Sequence, residues 1–329
     1  MLVTAICVLT ACAGSAPPAT VPQVADAVAA GSAVAPGRPA WIAVSVATLW
    51  RSPTSARPVD RPALARPARI RDWLSAMTLD QQLDLNGRAD TQALLGERVL
   101  VLRVRDHWAK VAVPDQPSPM NRRGYPGWVP VRQLTERRPA TPRHVATVTA
   151  RTAWLRTDDA AARRVVEISF GTTLPYLATG GSLVRVRTPL GAVRRVRASA
   201  VVVHEPGTPA LPRTGRSLVR AAKTFTGLPY LWAGVSGFGV DCSGLTWLDY
   251  HVHGMVIPRD AAPQAAHGRA VLFAHLRRGD LMFYASNGMV HHVTMYAGRH
   301  QMVQAPHTGA SVETVPVTLA GYAGARHYL

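Results

Sequence analysis

Asp241-Cys242-Ser243-Gly244, with Leu245-Thr-Trp-Leu-Asp-Tyr-His251 running on behind it, is the stretch on which the reading of this chain turns. Cys242 falls where a loop gives way to a helix. The other two cysteines, Cys7 and Cys12, lie in an apolar N-terminal leader, so Cys242 has no disulfide partner and stays a free thiol. A lone buried cysteine is more often inert packing than chemistry. Packing, however, does not call for an Asp-Cys-Ser-Gly setting. Upstream stands Gly227-Leu-Pro-Tyr230-Leu-Trp232-Ala-Gly234; downstream, Gly279-Asp280-Leu281 leads to His291-His292-Val-Thr-Met-Tyr296-Ala-Gly298. A thiol followed about fifty residues later by an imidazole is a nucleophile-then-base order.

A thiol at neutral pH is only a few per cent thiolate and needs activation. A helix N-terminus aims free backbone N–H groups and the positive end of the dipole at the sulfur, which is expected to lower its pKa. A histidine on a facing strand then forms a thiolate–imidazolium pair and later protonates the leaving amine. His291 and His292 are neighbours on one strand and point to opposite faces, so only one can serve. A third polar group must orient the ring, and donors must meet the oxyanion, the backbone N–H of Cys242 among them. Cys242 has no second cysteine or close histidine at ligand spacing, so no metal and no cofactor is expected.

Outward from that core, the composition bounds the setting. Residues 2–9 are nearly all apolar, and Leu9-Thr10-Ala11-Cys12 is similar to a bacterial lipobox, which makes 1–11 a leader and Cys12 a lipidated N-terminus. The alternative is an ordinary signal peptide; Met1-Leu-Val-Thr lacks the Lys or Arg that usually opens either. Residues 12–38, rich in Ala, Pro, Gly and Ser, read as a flexible tether. The expected place is the cell envelope, on a membrane through the lipid. The net charge of +18 is almost all arginine, since Lys110 and Lys223 are the only lysines. The arginines are scattered along alternating segments rather than gathered with aromatics, so no nucleic-acid partner is expected. A monomer is expected.

From 39 to 136 the signals are short strands. Ile42-Ala-Val44-Ser-Val46 alternates, and Arg98–Arg103 and Trp108–Val113 flank the tight-turn candidate Arg105-Asp106-His107. Ile70, Trp73, Leu74 and Met77 interrupt them at helical spacing, and Thr78-Leu-Asp-Gln81 has the form of a capping box. A similar run of strands restarts over 142–206, from a strand spanning Val145–Leu155, so the two halves look like a degenerate repeat of small β-barrels and resemble bacterial SH3-like domains. From 212 to 329 helices come first and strands after, an α+β pattern.

Taken in order, Pro229-Tyr230-x-Trp232-x-Gly234, Asp241-Cys242-Ser243-Gly244, Pro258-Arg259-Asp260, Gly279-Asp280-Leu281, His292-Val293 with Tyr296, and Gln304-Ala305-Pro306 resemble the NlpC/P60 cysteine peptidases, which cut bacterial cell-wall peptides. The resemblance implies two SH3-like β-barrels followed by a papain-like α+β catalytic domain. It implies Cys242 as nucleophile, His292 rather than His291 as base, Gln304 as the orienting residue where the family more often has His, and Tyr230 near the oxyanion. With paired SH3-like domains ahead of it, the chain is similar to the dipeptidyl-peptidase VI type. The matching segments are Val44–Pro53, Met77–Gln81 and Val111–Pro117 leading to Gly124-Tyr-Pro-Gly-Trp128. That type implies cleavage of the γ-D-glutamyl bond to L-Lys or meso-diaminopimelate in peptidoglycan stem peptides with a free L-Ala amino group. Asp241 would meet that ammonium, Tyr125 would close the pocket, and Asp90 would supply a second carboxylate where the type tends to have Glu. Trp232 and Ser243 would line the D-Glu side; the alternative for Trp128, and to a lesser degree for Tyr125, is barrel core. Two rival readings remain: a non-catalytic wall-binding SH3 lipoprotein, and an amidase or acyltransferase using the same Cys–His pair.

Overall fold

The computed structural model describes residues 2, 34–139 and 141–329, and Ala33–Leu329 form one compact unit. Cys12 and the leader around it lie outside the described residues. Among the described residues no helix is long and apolar enough to cross a membrane.

The first barrel opens with β1 (Pro39–Ile42) and β2 (Val46–Trp50). Its insertion follows as α1 (Arg61–Leu64), α2 (Ile70–Ala76) and α3 (Leu79–Leu83). Then come β3 (Ala89–Leu94), β4 (Arg98–Arg105), β5 (Trp108–Val113), β6 (Tyr125–Pro130) and β7 (Leu134–Thr135). The capping box at Thr78 is present in both directions: its hydroxyl accepts from Gln81 N and the Gln81 side chain accepts from Thr78 N. The alternation over 42–46 predicts one strand, but the chain breaks there. Ala43 N reaches Gln133 O and Leu95 N reaches Ser45 O, as the backbone changes partners from β4 and β7 to β3 and β6. All of 40–50 is buried, because both faces are covered, and alternation of the residue types misleads. Residues 34–38, read above as the end of the tether, are held on this barrel: Gly37 N donates to Val101 O and Val101 N to Arg38 O.

The second barrel runs β8 (Val145–Val148), β9 (Thr152–Arg156), β10 (Arg164–Ser169), β11 (Thr173–Gly180), β12 (Leu183–Arg187), β13 (Val193–Arg197) and β14 (Val201–His204). Here too one expected strand, over 145–155, is two. The strand orders are β3-β2-β6-β5-β4-β1-β7 and β10-β9-β13-β12-β11-β8-β14. Adding seven to each number of the first order gives the second, so the internal repeat is real at the level of topology.

The third part holds α4 (Gly215–Lys223), a short hairpin of β15 (Val235–Ser236) and β16 (Gly239–Val240), α5 (Cys242–Val252) and α6 (Ala261–Ala266). A six-stranded sheet follows, built of β17 (Arg269–Val271), β18 (Leu281–Ser286), β19 (Met289–Gly298), β20 (Gln301–Gln304), β21 (Glu313–Pro316) and β22 (Tyr322–His327), in the order β17-β22-β18-β19-β20-β21. The second barrel has a separate apolar cluster, joined by Leu95 of the first barrel, while its Phe170 belongs to the larger one. The first barrel instead shares one continuous cluster with the third part, from Trp50 and Val129 through Trp247 to Val293. Burial of that shared surface, at roughly 25 cal/mol per Å², fixes the barrel beside α5.

Candidate active site

Cys242 is the first residue of α5, and Asp241 caps the helix by accepting from Gly244 N at 2.6 Å. The glycine is required here: a Cβ on Gly244 would stand 2.0 Å from Gly234 O, so the helix start and the Trp232–Gly234 turn touch backbone to backbone. In that turn Gly234 N donates to Leu231 O, and Ala233 takes a left-handed conformation with φ 65°. An L-residue held there costs about 1–2 kcal/mol. The turn sends the Trp232 indole across to the first barrel, where Nε1 donates to Ala89 O at 2.9 Å.

The thiol lies against β19, close enough to the backbone N–H of Val293 for that group to favour the thiolate. His292, the residue before it, is half-buried, while His291 is exposed on the other side of the strand. His292 Nε2 meets Gln304 Oε1 at 2.9 Å, and Tyr284, its partner across β18–β19, sets its ring 5.8 Å from the imidazole. Cys242 at the start of α5 therefore sits by Val293, the residue next to His292, and Gln304 of the neighbouring strand β20 meets the His292 ring. Tyr230, 8% exposed, belongs to the same group: burial first, and the nearby Asp241 carboxylate second, hold its phenol protonated.

The expected depression of the thiol pKa is not found. Burial, first, and the Asp241 carboxylate, second, push Cys242 up to about 12; the Val293 and Ser243 N–H groups and Arg259 oppose them and lose. Burial also lowers the pKa of His292, with the nearby His291 and His307 rings in the same sense and the Gln304 bond against it. Both shifts favour thiol and neutral imidazole over thiolate and imidazolium in the ligand-free site. The dipole effect is of the order of 0.3–1 kcal/mol, too little against a buried sulfur next to a carboxylate.

Around Asp241 the polar network is dense. Arg259, 1% exposed, donates to Asp241 Oδ1 and Oδ2, to Ser243 Oγ and to Thr91 Oγ1 of the first barrel. Ser243 Oγ in turn donates to Asp241 Oδ1. Tyr125 is buried in the barrel, yet its hydroxyl emerges to donate to Asp260 Oδ2 at 3.0 Å. Trp128 is 9% exposed and pairs with Trp50 inside the barrel. Asp90 Oδ1 accepts from Arg51 Nε and Nη2. Burial raises the Asp260 pKa, as do the Asp241 and Asp90 charges, against Arg259 and Tyr125. Arg259 and Asp260 were visible as a motif, but their roles were not: their partners in the first barrel, Thr91 and Tyr125, are 168 and 135 residues away in sequence. Glu313 was missed altogether; it accepts from Gln304 Nε2 at 2.8 Å.

Comparison with known proteins agrees with this geometry. The NlpC/P60 family matches residues 227–325, the YKFC SH3b2 domain 148–204, and the bacterial dipeptidyl-peptidase Sh3 domain 84–134. The gamma-D-glutamyl-L-lysine dipeptidyl-peptidase of Bacillus cereus is 41% identical over 88% of this chain and 91% of its own length. The chain belongs to the NlpC/P60 family. It is a cysteine peptidase with two SH3-like domains ahead of its catalytic domain. The Bacillus subtilis enzyme of the same name is 39% identical over 83% of this chain and 92% of its own. The crystal structure of an NlpC/P60 family protein from B. cereus superimposes with a TM-score of 0.84 at 40% identity, covering 88% of this chain and 99% of that one.

Proposed function

We propose that this peptidase hydrolyses the γ-D-glutamyl–diamino acid bond, to L-Lys or meso-diaminopimelate, of peptidoglycan stem peptides that begin with a free L-Ala. The observation that carries the reading is the way the first barrel enters the site: Tyr125 on Asp260, Thr91 on Arg259 and Ala89 on Trp232. A site walled on that side takes the end of a peptide rather than its middle. Three carboxylates, Asp90, Asp241 and Asp260, share this wall with two guanidiniums, Arg51 and Arg259. One negative charge is left over, and a substrate ammonium would balance it. Asp90 and Asp241 are each committed to an arginine, so Asp260 with Tyr125 is the pair best able to receive it. Trp232 and Ser243 flank the D-Glu side.

In the reaction, Cys242 attacks the γ-carbonyl carbon while His292 takes its proton through Nδ1, the ring nitrogen not engaged by Gln304. The Cys242 N–H, free at the first helical position, and the Tyr230 hydroxyl donate to the oxyanion. His292 then protonates the departing amine of the diamino acid, and water hydrolyses the thioester to return the thiol. The test is product analysis by mass spectrometry on L-Ala-γ-D-Glu-L-Lys and on its N-acetylated form. Release of L-Ala-γ-D-Glu from the free peptide alone is expected; equal rates on both would remove the ammonium pocket. We also propose export as a monomer with lipid on Cys12. Globomycin should then leave a larger precursor, and an unchanged size would remove the lipid.

A further inference from the structure

The side chain that meets His292 is itself held. Gln304 Nε2 donates to Glu313 Oε1 at 2.8 Å, while Gln304 Oε1 meets His292 Nε2 at 2.9 Å. These two bonds admit one proton arrangement. An ionised carboxylate only accepts, so the amide nitrogen must face Glu313 and the amide oxygen must face the ring. An amide oxygen also only accepts, so Nε2 must carry hydrogen, and in neutral imidazole the lone pair is then on Nδ1. The sheet builds this relay in: β19 pairs with β20, and Gln304 and Glu313 are direct partners in the β20–β21 ladder.

We propose that Glu313 is a positioning residue for the hydrolytic step, locking the Gln304 amide so that His292 keeps Nδ1 free to take the Cys242 proton. It also sets a negative charge one amide beyond the imidazolium that forms. This answers how a neutral glutamine can do the orienting. Without Glu313 the amide can turn over and present its NH2 to Nε2, which selects the opposite tautomer and leaves a proton where the base is needed. The proposal rests on the Cys242–His292 reading given above.

The experiment uses the full chain and four variants: Glu313→Ala, Glu313→Gln, Gln304→Ala and the double variant Gln304→Ala/Glu313→Ala. Glu313→Ala should lower kcat about tenfold, a modest share of the 10²–10⁴ that a placed acid–base supplies, with KM little changed. Its acid limb should move to lower pH, because imidazolium has lost a distant anion. Imidazole ¹⁵N NMR should show the Nε2–H form of His292 in the parent and a mixture in Glu313→Ala. Glu313→Gln still offers an amide oxygen to Gln304, so it should keep most of the tautomer yet show the shifted limb; it carries the test if the alanine variant does not fold. In the Gln304→Ala background, adding Glu313→Ala should cost nothing more. Unchanged kcat, limb and tautomer in Glu313→Ala, or losses that add in the double variant, overturn the proposal. The tautomer needs no turnover, so it decides the role of Glu313 even if Cys242→Ala kept activity and thereby sank the hydrolytic reading.

Discussion

Arg259 closes on the Asp241 carboxylate with two N–H···O bonds, 3.0 Å to Oδ1 and 2.6 Å to Oδ2, and both side chains are nearly out of water. The helix cap that carries Cys242 is thus gripped by a residue that also holds Thr91 of the first barrel. Catalytic helix and barrel share one polar anchor.

Removing that anchor should be costly. Arg259→Met leaves Asp241 buried without its cation, and breaking one side of a buried pair costs about 3–5 kcal/mol. Lysine replaces the charge but not the planar fork, so Arg259→Lys should fall between and still lose most activity. Urea unfolding monitored by tryptophan fluorescence measures the first effect. A variant within 1 kcal/mol of the parent would show that the pair does not hold the helix start.

The pH dependence follows from the two shifts at the site. With Cys242 pushed up to about 12 and His292 brought below its ordinary value, the competent form is thiol plus neutral imidazole. Protonating His292 removes the base, so kcat/KM should fall with acid at a midpoint below about 6.5, the ordinary imidazole value. Iodoacetamide should alkylate the ligand-free thiol slowly at pH 7 and faster as pH rises. A preformed ion pair predicts the reverse: fast alkylation that persists well into acid.

Local pattern made some of this legible and hid the rest. β5 is found over Trp108–Val113 as the residues foretell, and the Thr78 cap is complete, since both depend on neighbours a few residues apart. A thiol followed about fifty residues later by an imidazole was legible from spacing, but the choice of His292 over His291, and of Gln304, came from the NlpC/P60 resemblance. The breaks near 43–45 and 149–151 were not, because strand partners change there and no residue type marks it. Nor does sequence weigh a helix dipole against burial at Cys242. Asp90 was expected to await a ligand, but Arg51, 39 residues earlier, already binds it. Glu313 was invisible until its register opposite Gln304 was known.

Tyr125 offers a test of the ammonium pocket separate from the chemistry. Its ring stays in the barrel while its hydroxyl donates to Asp260. Tyr125→Phe keeps the packing and removes one hydrogen bond to a charged group, worth about 1.5–3 kcal/mol. If that bond arranges Asp260 for the substrate, KM for the free tripeptide should rise roughly tenfold or more, with kcat near the parent's and stability lower by no more than about that hydrogen bond's worth. A fall in kcat alone, at constant KM, would place Tyr125 with the reacting atoms instead.

Gly244→Ala sets helix propensity against shape. In an exposed helix interior alanine gains about 1 kcal/mol over glycine. At this position the added methyl would lie 2.0 Å from Gly234 O and 3.1 Å from Asp241 Oδ1, with backbone on the nearer side. Neither the Trp232–Gly234 turn nor the start of α5 can withdraw freely, because Trp232 is tied to Ala89 and Asp241 to Arg259. The clash should therefore outweigh the propensity gain, destabilise the protein by about 1–3 kcal/mol and shift Cys242 away from Val293. Activity should fall more steeply than stability, because a displacement near 1 Å can cost about 10²-fold in rate. Thermal melts and kcat on the tripeptide measured on one preparation separate the two. A variant as stable and as active as the parent would mean the two backbones are not in contact.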